Sequence, residues 1–182
     1  LLYNLPGPVW FEWTDEQELH GAHFGSNVVY CMMLRKLAEI AGWLDLPEEA
    51  EQWSRRAMVV RDALRRMHWH EERGLFCDSV IDGRQAEVFT EVGNGMALYY
   101  DIADEAQKRR LVSSLTRDTN GCTRATTLYF YYLIEGLIRA GAVDYALKRL
   151  SAENRAMMER SDPPTFWEQW PDVPSTHTAG DS

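Results

Sequence analysis

Three short turns of similar composition, AGWLD, YDIAD and AGAVD, each join two stretches in which apolar residues recur at helical spacing. Short connections place consecutive helices side by side and antiparallel, so the sequence predicts three αα-hairpins. In each pair the first helix is apolar and carries glycine or other small residues, whereas the second is amphipathic and charged. This alternation predicts an all-α fold with an inner and an outer layer of helices.

The helices are predicted from apolar residues that lie three and four positions apart. The second helix has the clearest pattern, and its predicted buried stripe consists of Ala50, Trp53, Ala57, Val60, Leu64 and Met67. Residues 126–141 are apolar nearly all round, which predicts burial on most sides. The residues of the last helix predicted to face inward are Val143, Leu147, Leu150 and Met157.

The connections between the hairpins are longer than the turns within them. Residues 68–86 interrupt the helical pattern with two glycines and a short extended piece, LFCDSV, and residues 117–123 form a second loop. Loops that join consecutive hairpins lie at the same end of the inner helices. A functional site is therefore predicted at that end, because binding and catalytic residues concentrate on loops held by a rigid scaffold.

Charge and cysteine content exclude several classes of function. The net charge of -9 argues against a nucleic acid or an anionic membrane as a partner, and no apolar run reaches the length of a membrane helix. Cys31, Cys77 and Cys122 are far apart and match neither a metal-ligand spacing nor a disulfide framework, which favours buried free thiols. His68 and His70 lack a third ligand at a suitable spacing. No metal and no cofactor is therefore predicted.

The segment PPTFWEQWP, residues 163–171, places Glu168 between Trp167 and Trp170 just after a helix end. Apolar aromatic neighbours raise the pKa of a carboxyl group, and flat rings stack on sugars, so this segment could hold the base of a glycosidase. His177 could donate a hydrogen bond to a sugar hydroxyl. The residues alone leave the alternatives open, with Glu168 as a surface acid and His177 as a solvated loop histidine.

Two further acidic positions could belong to the same cavity. The segment VWFEWTDEQE near the start of the chain surrounds Glu12 with aromatic residues that include Trp13, although a helix-capping acidic segment would have the same composition. Glu91 lies near Asn94 on an apolar helix face. It could point into the cavity or be a hydrogen-bonded polar group of the interior.

Four segments resemble, in the same order, motifs of a known enzyme family. TFWEQW followed by STHTAG resembles the TTFWE…NHAW segment near the end of the catalytic domain of bacterial α-L-rhamnosidases, the six-hairpin glycosidases of glycoside hydrolase family 78. VWFEWTD resembles the W-x-F-V-D-W segment of that family, and HWHEERGLFCDS resembles its F-W-D-E-E-K-G-L-Y-x-D-S turn. TLYFYYLIEGLIRAG resembles its T-P-Y-F-x-Y-F-x-L-E-A-L-x-x-A-G helix, so the resemblance covers nearly all of the chain.

The resemblance implies an (α/α)6 barrel, an inverting mechanism and a pocket for terminal α-L-rhamnose or a related sugar. It assigns to Glu168 the role of the general base that activates water, and it places Trp13, Trp167 and His177 around the sugar. The chain departs from the family pattern in two places. Glu12 replaces an aspartate, and HTAGDS replaces the usual histidine-plus-tryptophan sequence.

The general acid of the family lies upstream, in an acidic, arginine-rich motif that is not visible in this sequence. Residues 1–182 are therefore interpreted as a single domain, the C-terminal portion and about half of an (α/α)6 barrel. The isolated chain is expected to be a poor or inactive catalyst. The remainder of the barrel or a second copy of the chain is expected to cover the exposed inner helices.

Two other interpretations stay open beside a rhamnosidase-like hydrolase with a carbohydrate substrate. The chain could belong to a six-hairpin glycosidase, phosphorylase or lyase that acts on another sugar, or it could be a noncatalytic helical module that binds a partner through its concave face. The compartment is undetermined. The absence of a visible signal peptide favours the cytoplasm.

Overall fold

The structure is a computed structural model that describes residues 1–6, 11, 17–117, 119–160, 163, 165–167 and 170. The helices in these residues are α1 (Phe24–Trp43), α2 (Pro47–Met67), α3 (Glu91–Tyr99), α4 (Glu105–Leu115), α5 (Phe130–Arg139) and α6 (Val143–Met158). The strands are β1 (Ala22–His23), β2 (Trp69–His70), β3 (Leu75–Phe76), β4 (Ser79–Ile81) and β5 (Arg84–Gln85). Three consecutive αα-hairpins are confirmed, and the strands lie before α1 and in the α2–α3 loop.

The first helix of each hairpin belongs to the inner layer. Helix α1 packs on α2 and on α3, α3 packs on α5, and α5 packs on α6, so that α1, α3 and α5 form a row with α2, α4 and α6 outside it. The predicted stripe of α2 is confirmed at its centre, where Ala57, Val60 and Leu64 are buried. This arrangement is part of a six-hairpin barrel.

The three turns within the hairpins have the same backbone conformation. The second residue after each inner helix adopts a left-handed conformation, with φ of 56° at Asp45, 54° at Asp101 and 89° at Gly141. In each turn the next backbone N–H donates to a carbonyl five residues earlier, at 2.9 Å. This hydrogen bond defines the Schellman motif.

Helices α3 and α5 approach each other through two glycines. A Cβ atom added to Gly95 would lie 2.6 Å from Leu133 Cα, and one added to Gly136 would lie 2.6 Å from the carbonyl oxygen of Gly95. Both distances are far below van der Waals contact, and both obstacles are backbone atoms. The sequence feature that marked the inner helices, their small residues, is therefore what allows them to pack so closely.

Two details of helix burial differ from the prediction. In α6, Met157 is buried and Leu150 partly buried, as predicted, but Val143 and Leu147 are exposed and Ala146 is buried in their place. Residues 126–141 are not buried on most sides, because Leu128 and Tyr131 are more than half exposed. Both helices have more apolar surface than the hairpins in the chain cover.

The strands form two small antiparallel sheets that precede the inner helices. Strands β1, β4 and β5 form one sheet in the order β1-β4-β5, and β2 and β3 form a two-stranded hairpin. Strand β1 pairs Ala22 with Val80 and His23 with Ser79, which fixes the α2–α3 loop against the start of α1. The extended piece predicted within LFCDSV is thus confirmed as β3 and β4.

The described part of the chain has no helix that is both long and apolar enough to span a membrane. Its three cysteines are free thiols, as predicted, with Cys31 and Cys77 buried and Cys122 half-buried. Burial raises the pKa of the Cys77 thiol to about 12, so this sulfur is a neutral, unreactive core atom at neutral pH.

Candidate functional site

The first residues of the three inner helices lie at one end of the molecule, where the longer loops meet. The backbone N–H of Glu91, at the start of α3, donates to Thr123 O at 2.9 Å, and Thr123 N donates to Phe89 O at 2.8 Å. The loop before α3 and the loop before α5 are therefore bonded to each other. This end of the inner helices is where the sequence predicts a functional site, and it is called the loop end below.

Phe11 connects the starts of α1 and α5 at the loop end. Its ring stands edge-on to His23, with centroids 4.8 Å apart, and stacks on Tyr129 at 5.5 Å. The ring is buried, and a Cβ atom on Gly25 would lie 2.2 Å from it, so only glycine leaves room for Phe11 at that position. Phe11 is thereby fixed at the loop end.

Trp170 is buried in the same region. Its indole Nε1 donates to Ala125 O at 2.7 Å, and its ring meets Phe130 edge-on at 5.1 Å. The guanidinium of Arg124 lies over the indole, 4.8 Å from the ring centroid. The chain after α6 therefore returns to the start of α5 and is held there by a hydrogen bond, a ring contact and a cation–π contact.

Trp167, three residues earlier, is half-buried and packs on the core, and its backbone N–H faces the sulfur of Met157 at 3.5 Å. The side chain of Phe166, the residue before Trp167, is 70% exposed to solvent. Of the residues that the resemblance places around the sugar, Trp167 is thus found at the loop end. Glu168, Trp13 and His177 lie outside the described residues, as does Glu12.

Glu91 is a fully bonded carboxylate rather than a free acid. Arg149 donates to both of its oxygens, at 3.0 and 3.1 Å, Asn120 Nδ2 donates to Oε1 at 3.1 Å, and the Ala125 N–H donates to Oε2 at 3.1 Å. Only 3% of Glu91 is exposed. The contacts of Glu91 are those of the alternative in which it is a hydrogen-bonded group of the interior.

Six residues around Glu91 form a closed circuit of contacts, which we call the anchor ring; they are Glu91, Arg124, Ala125, Arg149, Glu153 and Trp170. Beyond the contacts already given, Arg149 Nε donates to Glu153 Oε1 at 2.8 Å, and Arg124 pairs with Glu153 Oε2. The contacts close in the order Glu91, Arg149, Glu153, Arg124, Trp170, Ala125 and back to Glu91. The ring joins the start of α3, the loop before α5, helix α6 and the chain around Trp170.

A groove of about 910 Å³ opens beside the anchor ring, between the α4–α5 loop and α6. Arg117 and Lys148 are exposed on its walls, whereas Arg124 and Arg149 are engaged with the two glutamates of the ring. The groove therefore gives the solvent access to one side of the ring.

Asp78 is a buried carboxyl group that the sequence analysis did not single out. Its Oδ1 accepts a hydrogen bond from the Thr90 hydroxyl at 2.7 Å, and Oδ2 has no hydrogen-bond partner among the described residues. Burial raises the pKa of Asp78 to about 7, against the opposing effect of the Thr90 hydrogen bond and of the nearby Glu18 backbone. The sequence feature that could have identified this buried carboxyl group is the single acidic residue inside the mainly apolar stretch LFCDSV.

Two buried histidines lie in the adjoining layer. His68 Nε2 donates to Ala22 O at 2.7 Å, since a carbonyl can only accept, and His23 Nδ1 accepts from the Ser26 N–H at 3.2 Å as the cap of α1. Burial lowers the pKa of each imidazole to about 4. Both rings are neutral at pH 7, and their contacts are those of structural groups.

Among the described residues, no group of three histidine, cysteine or acidic side chains is arranged to hold a metal ion. The groups described at this end of the molecule include carboxyl groups and aromatic rings. Aromatic rings can stack on a sugar, and of the rings here Tyr129 and Trp167 are half-buried, whereas Phe11 and Trp170 are buried.

Comparison with known proteins agrees with this description. Residues 10–129, which are 120 of the 182, match the family model of the mannosylglycerate hydrolase MGH1-like glycoside hydrolase domain. The chain belongs to this glycoside hydrolase family. The family is therefore that of a glycosidase, and a carbohydrate is the class of substrate that it indicates.

The fold is also that of a solved glycosidase. The crystal structure of the GH78 family rhamnosidase of Bacillus sp. GL1 superposes with a TM-score of 0.82 and 21% sequence identity over 96% of this chain. The chain spans 18% of the length of that protein. The predicted likeness to the helical domain of the rhamnosidases is confirmed at the level of the fold. No curated protein shows significant sequence similarity to the chain.

Proposed function

We propose that this glycoside hydrolase domain carries the general-base half of an inverting glycosidase that removes terminal α-L-rhamnose or a related sugar. Glu168 is the base, and Trp13, Trp167 and His177 line the sugar subsite. The supporting observation is the position of the residues on either side of Glu168. Trp167 and Trp170 both lie at the loop end, where the three inner helices begin.

The proposed mechanism follows from the requirements of inversion. A base accepts a proton from water as the water attacks the anomeric carbon, while an acid protonates the departing oxygen on the opposite face of the sugar. In inverting enzymes the two carboxyl groups stand about 6.5–9.5 Å apart to leave room for that water. The partly exposed rings of the loop end give the sugar an apolar face to stack against, and they displace water from the surroundings of the carboxylate.

A second candidate function is supported by the family model. Its description names a mannosylglycerate hydrolase, which favours a mannosyl substrate for another six-hairpin enzyme with the same base. The two candidates share the fold and the proposed role of Glu168. They differ only in the sugar that the loops select.

The full-length protein distinguishes the two candidates when it is assayed on aryl α-L-rhamnoside and aryl α-D-mannoside. We expect release of rhamnose, and proton NMR of the early reaction should show the β-anomer first, because inversion changes the configuration of the anomeric carbon. Release of mannose alone would establish the second candidate. If the protein hydrolyses neither aryl glycoside and does not hydrolyse mannosylglycerate, both candidate functions are contradicted.

We also propose that residues 1–182 are the C-terminal portion of the barrel and that the hairpin before α1 completes its wall. Helix α1 carries an exposed apolar stripe of Met33, Leu37, Ile40 and Leu44, spaced for one helix face and 40–64% exposed. Helix α1 is the end of the inner row, with α3 on only one side of it. A stripe of this kind at the end of a row fits another inner helix of the same barrel.

Substitution of Leu37 and Ile40 by lysine tests that proposal through opposite effects in two forms of the protein. In the isolated chain the double variant is expected to reduce binding of a hydrophobic dye and self-association in light scattering, with little change in unfolding. In the full-length protein it is expected to cost several kcal/mol of stability, because two charges enter a buried contact (roughly 2–7 kcal/mol for each unpaired polar group). Val59→Lys on the exposed face of α2 is the control.

The control variant should change the free energy of unfolding of either form by no more than about 0.5 kcal/mol. A full-length protein that tolerates the double substitution as well as it tolerates Val59→Lys would contradict the proposed neighbour. A stable dimer of the full-length protein that the double substitution dissociates would show that a second copy covers the stripe.

A further inference from the structure

We propose that the anchor ring is a positioning device for the proposed catalytic base, and that Arg124 and Trp170 are positioning residues for Glu168. This inference rests on the proposed function and extends it to residues outside the sugar subsite. Glu168 lies one residue after Trp167 and two before Trp170 in the sequence. The ring holds Trp170, so it restricts the backbone close to the base.

The need for such a device follows from the local structure. The described residues after α6, namely residues 159, 160, 163, 165–167 and 170, belong to no helix or strand. A catalytic base must be placed accurately, since a displacement of about 1 Å can reduce a rate by about 100-fold. Side-chain contacts must therefore supply the precision that secondary structure does not.

The contacts of the ring are suited to that task, because they connect the segment to two hairpins at once. Glu91 begins an inner helix of the second hairpin, and Arg149 and Glu153 lie on the outer helix of the third. The pairing of Arg149 with Glu91 is bidentate and almost fully buried, with 4% of the Glu91 side chain exposed. Paired buried charges have narrow geometric tolerance, so the ring defines one arrangement of the elements that it joins.

Arg124 is the link between these charges and the segment of the base. Its guanidinium pairs with Glu153 on one side and lies over the Trp170 indole on the other. The Trp170 N–H bond to Ala125 O closes the circuit, since the N–H of the same Ala125 donates to Glu91. Loss of either link would leave the rest of the ring in place but weaken the hold on Trp170, whose ring contact with Phe130 would remain.

Two mild substitutions break these links without emptying the core. Arg124→Met keeps an unbranched stem over the indole but removes the charge, and Glu153 retains its bond to Arg149. Trp170→Phe keeps a ring against Phe130 but removes the N–H donor. Arg139→Met is the matched control. Like Arg124, Arg139 lies over an aromatic ring, 4.0 Å from the centroid of Tyr99, and pairs with a glutamate, Glu135. Unlike Arg124, it is the last residue of α5 and lies away from the loop end.

In the full-length protein, Arg124→Met and Trp170→Phe are each expected to lower kcat by about 10–100-fold while KM changes less than about threefold. The acidic limb of the kcat/KM pH profile should shift, because a displaced base has a different environment. Arg124→Lys should recover part of the lost kcat. Amide hydrogen exchange of a peptide that covers residues 163–170 should become faster in both variants, and Arg139→Met should change none of these quantities.

The outcomes separate this inference from the function on which it rests. If Glu168→Gln retains turnover, the proposed function fails, whatever the ring variants do. If Glu168→Gln abolishes turnover but the ring variants keep the wild-type kcat and pH profile, the positioning role alone is overturned. Faster exchange without a kinetic change would likewise overturn it, since the ring would then be structural only.

Discussion

Replacement of Glu168 by glutamine is expected to reduce the kcat of sugar hydrolysis by at least about 1000-fold in the full-length protein, at the upper part of the range for a general base. Glutamine has nearly the same shape as glutamate but cannot accept a proton from water. The affinity for the sugar, measured by titration calorimetry with the free monosaccharide, should stay within a few-fold of wild type. The effect would then lie on the chemical step and not on binding.

Glu159→Gln is the matched control for this substitution. Glu159 lies just after α6, nine residues before Glu168, and is exposed. The same loss of one negative charge at Glu159 should leave kcat unchanged. A Glu168→Gln protein that keeps more than a tenth of the wild-type kcat would rule out Glu168 as the base, and a protein with no turnover in either form would favour the noncatalytic helical module.

The hairpins could be predicted from the sequence because their signals are local. A left-handed residue after each inner helix needs an aspartate, an asparagine or a glycine, and the three turns supply Asp45, Asp101 and Gly141. The stripe of α2 is also local, since Ala57, Val60 and Leu64 follow the helix period. Such features depend on residues a few positions apart, which is the range over which the sequence can be interpreted directly.

The inward face of α6 could not be predicted in the same way. Val143 and Leu147 are more apolar than Ala146, yet Ala146 is the buried residue. The third hairpin packs where a small side chain lets α6 approach α5, and the apolar residues on the other face are left at the surface. Which apolar face of a helix is buried depends on the neighbours that exist, and a single helix does not contain that information.

The candidate site was predictable in its location but not in its supports. Longer loops and aromatic residues identified the loop end, and Trp167 lies there. The partners of Glu91 were not predictable, because Arg149 is 58 residues away in the sequence and Asn120 is 29 away. Arg124 and Arg149 had no distinguishing motif, since charged residues of amphipathic helices and loops are usually solvated. Contacts between separate hairpins become visible only once the hairpins are packed.

The contact between α3 and α5 leads to the prediction with the largest effect on stability. Gly95→Ala is expected to lower the free energy of unfolding by about 2 kcal/mol or more, although alanine is intrinsically better than glycine in a helix by about 1 kcal/mol. The added methyl group would lie 2.6 Å from Leu133 Cα and 2.7 Å from Leu133 N, and backbone atoms of a helix cannot move aside singly. The two helices would have to separate along their whole contact.

Gly42→Ala provides a control in which the same substitution should have the opposite sign. Gly42 also lies in a helix, near the end of α1, and a Cβ atom there would meet nothing within 4 Å. Urea unfolding followed by circular dichroism should therefore show a gain of about 0.5–1 kcal/mol for Gly42→Ala and a loss for Gly95→Ala. Gly136→Ala should behave like Gly95→Ala, because its methyl group would meet the Gly95 carbonyl oxygen at 2.6 Å. Equal stabilisation by all three substitutions would contradict the close contact of α3 with α5 and, with it, the packing that brings the starts of the inner helices together.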